Sequence, residues 1–130
     1  MPPPGKTQQG NGPPRAWLET AGGSTWLGTG SYCWTNPRHS LCVDGIPSCE
    51  MPGVPHVEVA PDEVVRAHLG FDPTEASVEG ADAVRHGRTV SWKATRDGAF
   101  LLFTRLRSGD VSYYACADLT TKPSSYSGPA

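Results

Sequence analysis

The sequence predicts an all-β fold, a disulfide-stabilised antiparallel sandwich of seven or eight short strands. Three observations predict it. Apolar and polar residues alternate with period two in several short runs, and no helical period is sustained. Turn-forming residues separate those runs, with 15 glycines and 13 prolines in 130 residues. Four cysteines form an even set with none of the two-residue spacings of a zinc knuckle or a thioredoxin-like motif.

The ends differ from the middle. Residues 1–14 are proline, glycine, glutamine and asparagine with almost nothing to bury, which describes a flexible Pro/Gly-rich linker. Residues 122–130 repeat that character as a disordered tail, and residues 15–121 form the sandwich. Met1 leads directly into prolines and not into a charged and then apolar signal region. The reading places the chain after a removed export signal, with Pro2 to Pro14 as the spacer between membrane or wall and domain.

The first strand is Arg15 to Thr20, with Trp17 as its large apolar residue, followed by a glycine-rich turn from Gly22 to Gly30. Ser31 to Trp34 and Leu41 to Asp44 make a hairpin around the turn at Asn36 and Pro37. Ile46 to Pro55 carries three prolines and reads as an irregular crossing between sheets. Val57 and Val59 alternate with His56 and Glu58 as a half-buried strand. Pro61, Asp62 and Glu63 before Val64 to Leu69 and Gly70 could punctuate a short helix, but the alternation of Val65, Ala67 and Leu69 against Val64, Arg66 and His68 favours a strand. Phe71 to Arg88 is either a weak strand with its turns or a loop with a role.

Val90, Trp92 and Ala94 alternate with Thr89, Ser91 and Lys93, an amphipathic strand. Ala99 to Arg107 and Val111 to Leu119 close the chain as a hairpin turning at Ser108, Gly109 and Asp110. Ala99 to Phe103 is apolar on both faces, as in a central strand. The last strand is expected at the sheet's closing edge.

Four cysteines allow three pairings. Cys33 and Cys42 flank the hairpin turn and are assigned to each other, which leaves Cys49 with Cys116. Such bonds persist in an oxidising compartment, so the protein is expected outside the cytoplasm, secreted or lipid-anchored to the cell envelope.

The formal net charge is −2, and no run of basic residues interleaves with aromatics, so nucleic acid is not an expected partner. No segment reaches the 18 or so apolar residues of a membrane helix.

Gly30, Ser31, Tyr32, Cys33 and Trp34, then Cys42, Val43 and Asp44, and finally Gly109 to Tyr114 carry a resemblance. Together they resemble the small immunoglobulin-like domains of Gram-positive bacterial lipoproteins and exported proteins of unknown function. The resemblance covers Trp17 to Leu119 and implies an immunoglobulin-like sandwich. Asp97, Gly98, Ala99 and Phe100 stand where such domains have a glycine and an aromatic opening the penultimate strand. Phe100 lacks the hydroxyl that a tyrosine corner uses. The group has no assigned activity, so the resemblance supplies no catalytic or binding residue.

Candidate sites are few. No nucleophile elbow is present, and no histidine and acid stand in a convincing triad order. The carboxylates Asp62, Glu63, Asp72, Glu75, Glu79 and Asp82 lie in polar connecting stretches and read as solvated surface. No catalytic residue, metal ligand or cofactor is assigned. His39, His56, His68 and His86 could serve a metal or small ligand, with His39 and His56 the best pair. Arg85, Arg88, Arg105 and Arg107 would line up positive charge if their strands are neighbours.

Trp34, beside Cys33, and Trp92 suit the core of a sandwich. Trp26, in its glycine-rich turn, could join Tyr32 in an exposed ligand patch, against the plainer reading of a loop tryptophan folded onto the domain edge. The expected function is a non-catalytic extracytoplasmic interaction module, acting as a monomer on a cell-envelope protein or glycan. Its rival is a metal or small-ligand binder using the surface histidines.

Overall fold

The structure is a computed structural model and describes residues 1–5, 12–35 and 40–120. The turn at Asn36 and Pro37, His39 and the tail from residue 122 lie outside the described residues. Among the described residues, eleven strands form two sheets: β1 (Trp17–Thr20), β2 (Gly23–Trp26), β3 (Gly28–Thr35), β4 (Ser40–Val43), β5 (His56–Val59), β6 (Val64–His68), β7 (Glu75–Val78), β8 (Val84–His86), β9 (Thr89–Lys93), β10 (Gly98–Leu106) and β11 (Gly109–Leu119). One sheet runs β2-β1-β6-β9-β8. The other runs β4-β3-β11-β10-β7, with β5 also laid on β11. The fold is a disulfide-stabilised all-β sandwich, antiparallel except where β5 pairs with β11 in parallel.

Three of these strands exceed the expected eight. β2 occupies part of the expected turn around Trp26: the real turn is only Ala21 and Gly22, and Trp26 pairs with Trp17. β7 and β8 lie within the stretch from Phe71 to Arg88, each too short and polar to register as a periodic run.

β6 is a strand, with Val65 and Ala67 buried and Val64 and Arg66 exposed. The residues that resembled a helix start make a tight turn instead. Asp62 adopts φ of 64°, and the Glu63 carboxylate accepts the Ala60 N–H at 2.9 Å and the Ala21 N–H at 2.6 Å. One side chain thereby ties this turn to the turn between β1 and β2.

β11 is not an edge. β10 runs along one side of it, and β3 then β5 along the other. The crossing from residue 46 to 55 therefore links two members of the same sheet, β4 and β5, and not two sheets. Its anchor is Cys49, bonded to Cys116 on β11.

The core lies between the sheets. Leu18, Val65, Ala67, Val90 and Trp92 face Val57, Val59, Leu102, Val111, Tyr113 and Ala115. Trp92 meets Phe100 edge-on with centroids 5.2 Å apart, and Trp34 meets Phe71 at 5.9 Å. The Tyr113 hydroxyl is buried and donates to the Pro14 carbonyl at 2.6 Å, and burial pushes its pKa well up. Pro14, expected in the linker, is thus fastened to the core.

Two glycines are required by close approach. A Cβ at Gly28 would enter the Tyr114 ring, and one at Gly109, where φ is +144°, would enter the Cys33 carbonyl.

The two disulfides close loops of very different length, with sequence separations of 9 and 67. The chain-entropy relation assigns them about 2.7 and about 4.4 kcal/mol. Replacing Cys49 and Cys116 by alanine is therefore expected to lower the melting temperature roughly 10 °C further than replacing Cys33 and Cys42, from the difference of about 1.7 kcal/mol. Thermal denaturation followed by circular dichroism checks this, and equal shifts would refute it.

Candidate functional site

Among the described residues, the space between the sheets is small. Between the sheets there is a partly open cavity of only about 30 Å³, lined by Leu18, Val57, Val65, Trp92 and Phe100 and, at its mouth, by Lys93 and Arg96, the size of one or two waters. Any site lies on an outer face or an edge.

The outer face of the six-stranded sheet carries an open groove of about 650 Å³. Strand alternation builds it. On β10, Leu102 and Thr104 turn inward and are buried, so Phe103 and Arg105 turn outward. On β7, Ala76 and Val78 pack inward and leave Glu75 and Ser77 outside. The register aligns two rows across three strands, Glu75, Arg105 and Asp110 in one and Ser77, Phe103 and Ser112 in the other. Ser31, Thr74 and Arg85 complete the wall.

Two arginines and two acids give this surface no net formal charge. Arg105 Nη1 lies 3.9 Å from Glu75 Oε2, with both side chains mainly in solvent. An exposed pair of this kind is worth little to stability, so its hydrogen-bonding groups can exchange partners at small cost. Thr74 clamps the end of β10, where its N–H and hydroxyl both donate to the Arg105 carbonyl. Phe103 is 44% exposed in the middle of the sheet, with only serines beside it in the row.

A second surface hollow of about 520 Å³ lies against the five-stranded sheet, lined by Val64, Val84, Trp92 and Ala81. It is more apolar, although Asp82 and Lys93 also line it.

The structure does not bring Trp26 and Tyr32 into one patch. Trp26 is on β2 in the five-stranded sheet, where its Nε1–H donates to the Pro4 carbonyl at 2.7 Å and the Arg15 guanidinium lies 4.1 Å from its ring centroid. Tyr32 is on β3 in the other sheet and packs half-buried on the core.

His56 and His68 have partners of their own. His68 stacks on Trp17 at 4.0 Å and lies 2.9 Å from Glu19, whose carboxyl is held below its usual range by that hydrogen bond. His86 is exposed on β8. Among the described residues, no three His, Cys, Asp or Glu side chains are grouped to hold a metal ion. Three of the candidate carboxylates are also engaged: Asp72 with Arg88, Glu75 with Arg105, and Glu63 with two backbone amides. Of the four arginines, Arg85 and Arg105 line the groove although β8 and β10 belong to different sheets.

Phe103, Asp110, Ser77 and Ser112 were not singled out by sequence. The available signal was Phe103 itself, an aromatic whose strand neighbours Leu102 and Thr104 already fill the inner face.

His56 ties the crossing segment to β11. Its Nδ1 is 3.1 Å from Asp118 Oδ2 and its Nε2 is 3.0 Å from the Cys49 carbonyl. Both partners are acceptors, so only the imidazolium, with two N–H donors, satisfies both. The pKa is accordingly raised, first by the Cys49 carbonyl and then by Asp118. A pKa raised in the folded state gives stability that is full below the unfolded value of about 6.5 and lost as pH rises through the folded value. The melting-temperature gap between the native protein and His56→Gln is expected to be larger at pH 5.5 than at pH 8.5. A gap independent of pH would show that the imidazolium is not the operative form.

The chain matches no protein-family model, no curated protein and no solved structure, so a functional reading rests on its own residues.

Proposed function

We propose that this protein is a non-catalytic extracytoplasmic module, an immunoglobulin-like sandwich secreted or anchored at the cell envelope, that binds an envelope glycan on the outer face of its six-stranded sheet. The observation that supports this most is the groove in which Phe103 stands exposed beside Arg105, Asp110 and Glu75, with Ser31, Ser77 and Ser112 around it.

A sugar ring has an apolar C–H face and a rim of hydroxyls. The Phe103 ring suits the face. The rim calls for donors and acceptors in close order, which a guanidinium, two carboxylates and several hydroxyls supply. The balance of charge disfavours a polyanion, and the open shape admits a chain lying along the sheet. The two disulfides favour an oxidising compartment. Among the described residues no helix is long and apolar enough to cross a membrane.

An array of defined cell-wall oligosaccharides is expected to show binding by the oxidised protein. Phe103→Ala should weaken the best ligand roughly tenfold or more, equivalent to about 1.4 kcal/mol, while Trp26→Ala leaves it unchanged. No oligosaccharide binding, or binding lost only with Trp26→Ala, would overturn the assignment.

A further inference from the structure

The two disulfides meet solvent very differently. Cys116 is 1% exposed within the core, and Cys49 is half-buried against it. Cys33 and Cys42 are both exposed, and they face each other directly across the ladder with their Cα atoms 4.1 Å apart. Cys42 sits on β4, a four-residue edge strand whose every residue is exposed. Among the described residues, β4 pairs with β3 and with no other strand of its sheet.

Disulfide exchange requires a thiolate to reach a sulfur, so access governs which bond reacts. We propose that Cys33–Cys42 is a thiol–disulfide exchange site, open to small thiols and dithiols, while Cys49–Cys116 is a permanent staple. An incoming thiolate attacks the sulfur of one cysteine. The sulfur–sulfur bond breaks, and the other cysteine leaves as a thiolate and takes up a proton. The resulting mixed disulfide is attacked by a second external thiolate, which frees the first cysteine. Two electrons and two protons pass from two external thiols to Cys33 and Cys42, and the external thiols leave as a disulfide.

The structural consequence is local. β4 contributes no buried residue to the core, and its other described ties are a hydroxyl pair between Thr35 and Ser40 at 3.0 Å and the ladder to β3. Opening the bond loosens this edge and exposes the outer side of β3, whose unpaired backbone groups can accept another strand. The staple at Cys49 keeps the crossing segment on β11 throughout. This inference is independent of glycan binding.

The test uses the oxidised full chain with reduced glutathione at pH 8, acid quenching, differential alkylation and mass spectrometry of non-reducing digests. Cys33 and Cys42 should be reduced at least about tenfold faster than Cys49 and Cys116. A glutathione adduct should be trapped on Cys33 or Cys42, and the far-ultraviolet strand signal should persist. Equal rates, earlier reduction of Cys49–Cys116, or reduction of either bond only in denaturant would each overturn the proposal.

Discussion

The backbone ladder of β11 fastens one eleven-residue segment to three partners. β10 follows it from Gly109 to Ala117, while β3 covers the first part of its other side and β5 the last. A strand has only two edges, so β3 and β5 must share one. The bulge between Val111 and Tyr113 shifts the β3 register, and β5 then pairs with Cys116 to Leu119. On the inner side β11 places Val111, Tyr113 and Ala115 in the core. Tyr113 reaches back to Pro14, Cys116 holds Cys49, and Asp118 holds His56. Ties to the start, the middle and the crossing segment of the chain thus converge on this strand.

Filling the inner face decides which side chains are left on the outer surface. Because Leu102 and Thr104 must point into the core, Phe103 and Arg105 cannot, and pleating sends both to the same outer surface. The neighbouring strands impose the same division, so the sheet itself sorts Glu75, Arg105 and Asp110 into one row. For the glycan binding proposed above, a row aligned by backbone hydrogen bonds before any ligand arrives would lower the ordering cost of binding.

Long runs with a clear period were legible in the sequence, and short ones were not. β10 and β11 announce themselves as long β-prone runs flanking a turn, and β9 because it buries Val90 and Trp92 at alternate positions. β6 was legible for the same reason, despite its helix-like opening. β7 and β8 offer three or four residues each, and only tertiary pairing makes them strands. β2 was hidden by its glycines, which read as a loop although the chain reverses within two residues. The place of β11 inside its sheet depends on β3 and β5, both distant in sequence, and periodicity within β11 carries no information about them. The groove was invisible for a related reason: its rows join residues from β7, β10 and β11, and strand order is required to see them.

The aromatic residues discriminate between the proposed Phe103 groove and the Trp26 edge. Each tryptophan has a packing partner of its own: Trp17 on His68, Trp26 under Arg15, Trp34 against Phe71, and Trp92 against Phe100. Trp26 is further committed through its indole N–H to Pro4, so presenting that ring to a ligand would break a hydrogen bond and a cation–π contact together. Phe103 has only Ser77 and Ser112 beside it in its row and stands 44% exposed. A ligand stacked on Phe103 therefore removes apolar surface from water without displacing any of these contacts, and that difference favours the six-stranded sheet over the Trp26 edge.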